Sequence, residues 1–502
     1  MTSRIIRNIP FNRVEGDLEV SIEYADGRVS DAWSAGTLYR GFENLMKGRG
    51  ALDGLVMTPR ICGICSTTHL AAAARALDAI AGLTPPDNAV RVRNVALMVE
   101  HMQSDVRHSV LMYMTDFAHA AHARHPLYDE ALRRYAPAAG SSAIDTIRET
   151  KRLLEVIAML GGQWPHSSFM VPGGIAFAPS QADVLQCLQL VRGYRAWYER
   201  RVLGCPLERW REVDSRAALD AWLDESAAHR DSETGFLLRF GREAGLDAIG
   251  GGPNAFLSYG SLDLPQETAV VAPGGQLVAA GFARGTVVAA FDATRIAEDV
   301  SHAWYRDHGT LHPAAGETDP YASAQAGRAY SWVKAPRYDG QAVETGPLAE
   351  AVIDGRPLFI DLVAAGRTSA LARQLARLTR PATMLPVVEV WLQELLATQG
   401  APVVAGDGHI PDGEGAGLVQ AARGALGHWV RIENGRIARY QVITPTAWNG
   451  SPRDSTGQRG AWEEAIVGTP IADPDNPIEA GHVIRSFDPC LVCAVHTVRR
   501  RT

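Results

Sequence analysis

Four of the six cysteines in this 502-residue chain form two Cys-x-x-Cys pairs, and a histidine follows each pair closely. The first pair lies in RICGICSTTH and the second in DPCLVCAVH, far apart in the sequence. Four thiolates favour soft metals, so zinc, Cu(I), an iron–sulfur cluster and a nickel–iron centre are all compatible with them. The paired residues are Cys62, Cys65, Cys490 and Cys493. The other two, Cys187 and Cys205, stand alone, which is typical of small buried hydrophobic residues.

The separation of the two pairs distinguishes a local site from a shared one. Zinc-binding pairs usually lie about 15–20 residues apart, whereas hundreds of residues separate Cys65 from Cys490. Bringing such distant segments together costs about 5 kcal/mol of chain entropy. A metal–thiolate site contributes on the order of 10 kcal/mol, so one shared site is energetically feasible.

The segment after the first pair predicts a helix, because LAAAARALDAIAGL is rich in strong helix formers. Cys65 would then lie near a helix N-terminus, where backbone N–H groups and the helix dipole stabilise a thiolate. Asp488 stands two residues before Cys490, so a carboxylate lies beside the second pair. The residues alone therefore predict a buried thiolate metal site with neighbouring groups that can move protons.

The elements that must position these groups are mostly helices. Strong helix formers, or apolar residues at spacings of three and four, predict helices at 70–83, 89–120, 141–162, 180–203, 348–378 and 384–398. Alternating runs that turn at ADGR and ENGR predict hairpins at 11–34 and 427–449. Residues 250–350 are predicted to form short strands and loops, and 400–418 a Gly-rich connector.

We predict an α+β fold, predominantly helical, with a central helical bundle and small peripheral sheets. The sequence has no internal repeat, low-complexity tract or clean linker, which favours one multi-lobed unit over 1–502. Its predicted parts are a β-hairpin region at 1–40, a helical core at 66–250, a mixed middle lobe at 250–400, a C-terminal metal-site region at 410–496 and a short tail at 497–502.

Composition argues against several classes of protein. Hydrophobic residues make up 46% and charged residues 21% of the chain, as in ordinary soluble proteins. The net charge of −7 gives no electrostatic reason to expect a nucleic-acid partner. No stretch approaches the roughly 18 apolar residues of a transmembrane segment. The first residues, MTSRIIRNIPFNRVEGDLEV, have no apolar signal-peptide core, so we expect a cytoplasmic location, or membrane association through a partner.

Two motifs and five stretches between them occur in an order that one family shares. The pattern R-x-C-G-x-C-x-x-x-H is matched by Arg60, Cys62, Gly63, Cys65 and His69. The pattern D-P-C-x-x-C-x-x-H is matched by Asp488, Pro489, Cys490, Cys493 and His496. The stretches between them are RVEGDLEV, YRGFENLMKGR, PHSSFMVPGG, ARGALGHW and PTAWNGSPRD. Together they resemble the large, catalytic subunit of nickel–iron hydrogenases over nearly the whole chain, which implies the large-subunit fold of that family.

The resemblance implies that the four paired cysteines hold a nickel–iron centre. Cys65 and Cys493 would bridge nickel and iron, while Cys62 and Cys490 would bind nickel alone. In this family the iron carries cyanide and carbon monoxide ligands. The implied reaction is the reversible heterolytic cleavage of H2 into protons and electrons, which calls for a dry, preorganised site.

The resemblance also assigns roles outside the cysteines. Glu15 would accept a proton from Cys490 and begin the path to solvent. Arg423 would place its guanidinium over the site, and Asp488 would orient that side chain. A second, hard cation, usually Mg²⁺, would be bound by Glu43 and His496.

Residue type alone leaves other interpretations open. Glu15 could be a solvated strand residue, Glu43 an exposed helix charge and Arg423 a structural ion-pair partner. His166 and His428 are interpreted as hydrogen-bonded core histidines and not as ligands.

Several positions depart from the family pattern. Asp17 stands where many members carry histidine, and Ser104 stands where some members place an aspartate near the site. Asp105 is adjacent to Ser104 but should point elsewhere on a helix. Gln420 and Ala422 replace common Glu and Pro, so the turn that holds Arg423 should sit differently.

The tail after the last histidine is short. Only TVRRRT follows His496, whereas many members carry a longer peptide that a maturation protease removes after nickel insertion. The tail is therefore either removed or marks an unprocessed member.

Electrons released from H2 need a route out of the chain. Cys187 and Cys205 cannot build a cluster relay, and no Gly-x-Gly-x-x-Gly stretch follows a strand to suggest a nucleotide site. The resemblance implies a small subunit with iron–sulfur clusters, which would form at least a heterodimer and pass electrons to an acceptor.

H2 uptake is the favoured function, with an H2-sensing regulatory hydrogenase as the alternative. The sensor would have the same site, turn over slowly and signal to a kinase. The compact length, RVEGDLEV and the short tail resemble a group that contains both cytoplasmic uptake and sensory members. Two other interpretations are the related quinone-binding subunit of respiratory complex I, which lacks the paired cysteines, and a zinc scaffold.

Overall fold

The computed structural model describes residues 4–10, 12–321, 327–365 and 368–494. The helices are α1 (Phe42–Met46), α2 (Asp53–Met57), α3 (Ser66–Ala81), α4 (Asp87–Arg107), α5 (Tyr128–Tyr135), α6 (Ser141–Gly161), α7 (Gln181–Trp197), α8 (Leu207–Arg211), α9 (Arg216–Glu225), α10 (Ala227–Asp231), α11 (Glu233–Glu243), α12 (Pro347–Ile353), α13 (Pro357–Ala364), α14 (Ala370–Thr379), α15 (Pro381–Ala397), α16 (Pro445–Asn449), α17 (Ala461–Ile466), α18 (Ile478–Ser486) and α19 (Leu491–Ala494). The strands are β1 (Arg4–Pro10), β2 (Leu18–Ala25), β3 (Arg28–Gly36), β4 (Met170–Val171), β5 (Gly174–Ile175), β6 (Ala255–Asp263), β7 (Gln276–Arg284), β8 (Val287–Ala289), β9 (Ile296–Asp299), β10 (Ala335–Tyr338), β11 (Gly413–Ala421), β12 (Gly424–Glu433) and β13 (Arg436–Ile443).

Helices predominate, and the strands form small antiparallel sheets, which confirms the predicted fold class. Three sheets have three strands, in the orders β1-β2-β3, β6-β7-β8 and β11-β12-β13. Both predicted hairpins are present and turn where expected, at Asp26–Gly27 and at Asn434–Gly435. All four turn residues have positive φ, as the tight turns of antiparallel hairpins require. The lobe boundaries stay a prediction.

Helix α4 forms the axis of the central bundle, where it packs against α6 and α15. Nearly every residue of α4 is buried, including its charged residues Arg91, Glu100 and Asp105. A helix buried on all faces must pair each charge with another buried group, and these side chains are paired in this way. In the part of the chain that the structure describes, no helix combines the length and apolar character needed to cross a membrane.

The single helix predicted at 89–120 differs from the observed structure in its second half. After α4 the backbone continues as a π-helical turn over His108–Tyr113 and a 3₁₀ segment over Met114–Ala118. A π-helical turn contains more residues than an α-helical turn, and such turns are frequent at functional sites. Here the π-helical segment begins at His108, whose ring contacts Asp488.

The predicted helix at 348–378 is divided into α12, α13 and α14. Gly355 has a φ of 72° and Pro357 begins the next helix, so the sequence breaks the helix at this point. The last of the three helices, α14, is almost wholly buried and carries Arg373 and Arg377 into the core.

The Gly-rich segment 400–418 is a connector only in its first part. From Gly413 the chain forms β11, which packs against α3. A Cβ atom at Gly417 would lie 1.8 Å from the carbonyl oxygen of Ala72, and one at Gly415 would lie 2.5 Å from that of Ala76. These glycines therefore allow the backbones to approach closely.

Adding one methyl group at this contact should destabilise the fold. We expect Gly417→Ala to cost about 1–3 kcal/mol of folding free energy, because the new Cβ must displace either α3 or β11. The matched control is Gly413→Ala on the same strand, whose Cβ would make an ordinary contact at 3.5 Å from Ile80. Thermal unfolding of both variants checks the prediction, and equal midpoints would contradict it.

Candidate metal centre and active site

Three buried thiols converge at one point in the fold. The sulfur atoms of Cys62, Cys65 and Cys490 lie within 4.8 Å of one another. The two sulfurs of Cys62 and Cys490 are 3.4 Å apart, far longer than the roughly 2.05 Å of a disulfide. The backbone of Cys493 lies in α19 directly after this point, while His496 and the tail 497–502 lie outside the described residues.

Glu15 and Arg40 hold the second cysteine segment in place, and the Arg40 side chain also links it to the first. Glu15 forms a parallel bridge with Cys490: the Glu15 N–H donates to the Pro489 carbonyl at 3.2 Å, and the Leu491 N–H donates to the Glu15 carbonyl at 2.5 Å. The Arg40 guanidinium donates both to the Ile61 carbonyl at 2.7 Å and to the Val492 carbonyl at 3.2 Å. Two segments far apart in the sequence are thereby held side by side.

The first cysteine pair is positioned by the start of α3, as the sequence predicted. Cys65 occupies the N-cap position of the helix, which begins at Ser66, but its side chain makes no capping hydrogen bond. The Glu100 carboxylate accepts hydrogen bonds from the backbone N–H groups of Thr67 and Thr68, at 2.7 and 2.9 Å. Burial raises the pKa of Glu100 to about 7, although these hydrogen bonds oppose the shift. Glu100 thus caps the helix that begins directly after Cys65.

Arg423 and Asp488 form a buried ion pair beside the thiols. Arg423 Nη1 donates to Cys65 Sγ at 3.0 Å, and its Nε lies 3.0 Å from Asp488 Oδ1. Burial would lower the pKa of Arg423, but Asp488 and the three thiols hold it well above its usual value. Burial would likewise raise the pKa of Asp488, but Arg423, His108 and Arg377 hold it well below its usual range. Both groups therefore stay charged in a water-poor site.

Two further residues hold Asp488 in place. His108 Nδ1 lies 2.9 Å from Asp488 Oδ1, and Arg377 Nη1 donates to Asp488 Oδ2 at 3.1 Å. Asp488 has a φ of 57°, in the left-handed region that Asp enters more often than most non-glycine residues. The three contacts to its side chain stabilise this backbone conformation next to Cys490.

Glu15 lines a cavity of about 260 Å³ that reaches Arg423 and Asp488. The walls are partly apolar, with Ile64 and Trp164, and Ser104 also lines the space. Burial raises the pKa of Glu15, although Arg423 opposes this shift. A half-buried carboxyl with a raised pKa between the thiols and a cavity is suited to proton transfer.

Glu43 belongs to a separate buried cluster. Its carboxylate accepts hydrogen bonds from the Val442 N–H at 2.9 Å and from the Thr318 hydroxyl. The Lys334 ammonium lies 3.7 Å from Glu43 and 3.6 Å from Glu298, so two carboxylates share one ammonium. Burial raises the pKa of Glu298 to about 7, with Lys334 opposing. With both carboxyls ionised, these three side chains would carry one net negative charge.

The remaining sequence-predicted residues are hydrogen-bonded within the fold. His428 is fully buried between the His69 ring, at 3.1 Å, and the Tyr440 hydroxyl, at 2.9 Å, which supports its interpretation as a core histidine. His166 is only half-buried, and its Nδ1 lies 2.9 Å from the Pro59 carbonyl. Asp105 points away from the thiols, as its helical position predicted, and pairs with Arg380.

Sequence reasoning missed several residues that support the site: Arg40, Glu100, His108, Arg377 and Arg380. The clearest available signal was in α14 and directly after it, where arginines recur at 373, 377 and 380 in a mostly apolar run. Arginines at helical spacing among core residues indicate buried ion pairs.

The donor set fits a soft metal centre. Three buried sulfur atoms lie together, and a guanidinium is at hydrogen-bond distance from one of them. Cysteine sulfur is a soft ligand, which suits nickel, iron and zinc better than hard ions. For the fourth paired cysteine, Cys493, the structure describes only the backbone position in α19.

Comparison with known proteins identifies the family. Residues 40–131 and 243–496 match the family described as "Nickel-dependent hydrogenase". The "Periplasmic [NiFeSe] hydrogenase large subunit" of Desulfomicrobium baculatum is 30% identical over 98% of this chain and 95% of its own length. The "Uptake hydrogenase large subunit" of Rhodobacter capsulatus is 28% identical over 97% and 94%.

The solved structures agree with the sequence comparison. The reduced Ni-Fe-Se hydrogenase of D. vulgaris Hildenborough superposes with a TM-score of 0.81 at 29% identity, covering 99% of this chain and 100% of that chain. These matches argue against the two other interpretations, a zinc scaffold and a complex I subunit. The chain belongs to the nickel-dependent hydrogenase family, and it is a hydrogenase large subunit.

Proposed function

We propose that this subunit splits H2 heterolytically at a nickel–iron centre and works physiologically in the direction of H2 uptake. The observation that carries the proposal is the convergence of three buried thiols within 4.8 Å, with the Arg423 guanidinium 3.0 Å from one of them. The uptake direction is supported by the names of two relatives, from Rhodobacter capsulatus and Rhizobium leguminosarum.

The four paired cysteines would hold the metals. In this proposal Cys62 and Cys490 would hold nickel, Cys65 and Cys493 would hold both nickel and iron, and the iron would carry cyanide and carbon monoxide ligands. When bound, the centre supplies the electrophile that polarises H2. The protein residues provide the remaining functions.

Arg423 and Asp488 place an oriented, buried ion pair beside the thiols. The guanidinium is fixed by Asp488 and faces the thiols, so charge that develops during cleavage meets an oriented positive group without solvent reorganisation. Glu15 takes the proton from Cys490 and passes it toward the cavity, because its raised pKa lies nearer to neutral pH than that of an ordinary carboxyl.

Glu43 would bind Mg²⁺ together with His496. The support is the charge of its cluster, in which Glu43 and Glu298 face one ammonium, that of Lys334. A hard cation suits carboxylate, carbonyl and amide oxygens.

Electrons would leave through a small subunit that carries the iron–sulfur clusters, and the large subunit would contain none. Cys187 and Cys205 lie in separate surroundings, and the Cys205 sulfur accepts a hydrogen bond from the Trp222 indole. We therefore propose at least a heterodimer, which transfers electrons to an acceptor through the partner and whose tail at 497–502 is a candidate substrate for a maturation protease. The cytoplasmic location expected from the sequence is not confirmed, since one relative is named periplasmic.

Infrared spectroscopy of the purified complex under H2, with metal analysis of the same sample, tests the proposal. We expect cyanide and carbonyl bands, stoichiometric nickel and magnesium, and rapid reduction of a dye acceptor. Bands with very slow dye reduction would instead indicate the sensory alternative. Zinc without such bands would contradict the nickel–iron proposal.

A further inference from the structure

Buried charges of alternating sign extend from Arg423 into the helical core. Each of these residues is at most 4% exposed, and each lies within 3.5 Å of the next. In order from the thiols they are Arg423, Asp488, Arg377, Asp105, Arg380 and Glu350. The row connects the turn between β11 and β12 with α18–α19, α14, α4 and α12.

The inner part of this row holds the turn that carries Arg423. The carbonyl oxygen of Ala422, directly before Arg423, accepts a hydrogen bond from Arg380 Nη2 at 2.9 Å and another from Arg377 Nη1 at 3.2 Å. Ala422 is 2% exposed, so the protein itself must supply the hydrogen bonds of this carbonyl.

Asp105 fixes the arginine that makes the shorter of these bonds. Its two carboxylate oxygens accept from Arg380 Nε and Nη2, both at 2.8 Å, and Arg377 lies 3.5 Å away. Arg380 Nη1 also donates to Glu350 at 2.8 Å. A planar guanidinium bound on three sides in this way has one orientation, which an ammonium cannot reproduce.

We infer that Arg380, held by Asp105, is a positioning residue that fixes the Ala422–Arg423 turn and so maintains the contact between Arg423 and Cys65. The inference rests on the proposed function, because it concerns the guanidinium next to a proposed metal ligand. The turn has no proline to restrict its backbone. The hydrogen bonds from Arg380 and Arg377 to the Ala422 carbonyl supply this rigidity instead.

The test compares Arg380→Lys with Arg91→Lys in the purified heterodimer. Both variants keep a buried positive charge. Arg91 is a matched control, since it is 3% exposed and donates to the Glu394 carboxylate at 2.8 Å and to the Asn88 side chain at 3.0 Å, on α4 but outside the row. Nickel content, thermal midpoint, kcat, the KM for H2 and the infrared carbonyl band are measured for each.

We expect Arg380→Lys to retain nickel and to have a thermal midpoint close to that of Arg91→Lys. Its kcat should fall about tenfold or more with little change in KM, because a displaced Arg423 is misaligned with the reacting atoms. Its carbonyl band should shift, because the hydrogen bond to Cys65 changes the electron density at the centre. Arg91→Lys should change neither kcat nor the band.

Equal kcat and equal carbonyl bands in the two variants would overturn the positioning role alone. The infrared spectrum of the wild-type complex is measured before any variant is made. If it lacks cyanide and carbonyl bands, the proposed function itself is overturned. If Arg380→Lys yields no complex, Asp105→Asn supplies the same test, because Arg380 then keeps Glu350 as its counter-ion. An unchanged band and kcat in Asp105→Asn would again overturn the positioning role.

Discussion

Cys65→Ala should abolish H2 turnover and nickel retention while leaving the large subunit folded. Cys65 is 4% exposed, and its sulfur lies among the other thiols and 3.0 Å from Arg423 Nη1. Its removal takes one ligand from the proposed centre and leaves Nη1 without its sulfur acceptor, while Nε keeps Asp488. Nickel per chain, infrared bands and dye reduction are the measurements. All three should fall to the background of an unloaded protein.

Cys187→Ala is the matched control for this experiment. Cys187 is fully buried in α7, and burial raises its pKa to about 12, so it is an inert thiol of the same size. Its removal should cost some stability through the small cavity that remains, without loss of nickel. Nickel retained in Cys65→Ala, or lost equally in both variants, would contradict the assignment of Cys65 as a ligand.

Glu15→Gln should lower H2 oxidation by about 10²–10⁴-fold and leave the metal centre intact, because an amide cannot accept the proton. Nickel content and the cyanide and carbonyl bands should match those of the wild type. Asp17→Asn, an exposed carboxylate two residues away, is the control and should retain full activity. Wild-type rates in Glu15→Gln would show that protons leave by another route.

The pH dependence of the same reaction gives a second check on Glu15. To accept a proton during H2 oxidation, the carboxyl must be ionised. Burial raises its pKa above the ordinary value of 4.5, so oxidation should be lost as the pH falls through this raised pKa. The acidic limb of the kcat profile should disappear in Glu15→Gln, and a limb that persists there would have to come from a different group.

The sequence was sufficient to predict the elements whose patterns are local. The helices at 141–162 and 180–203 and the hairpin at 427–449 follow from apolar spacing and Asn-Gly turn chemistry, and all three are present. The hairpin ends at Ile443, earlier than predicted, because Pro445–Asn449 forms a helix. The meeting of Cys65 with Cys490 was predictable for another reason, since four thiols that share a soft metal must converge.

What could not be predicted depends on contacts between distant segments. Asp105 and Arg380 are 275 residues apart in sequence, and their pairing depends on the packing of α4 against the end of α14. The π-helical turn that begins at His108 has no signal in apolar spacing. Gly417 shows a third limit, because composition alone cannot distinguish a glycine in a loose connector from one that permits close backbone contact.

The bridge between Glu15 and Cys490 constrains the order in which this protein can be built. The ribosome makes the first cysteine pair hundreds of residues before the second, and chains grow at about 5–20 residues per second. Cys62 and Cys65 must therefore wait, reduced and without their partners, until most of the chain has been made. The parallel bridge can form only after the segment with the second pair has been made, so docking of this segment against Glu15 is a late step in building the protein.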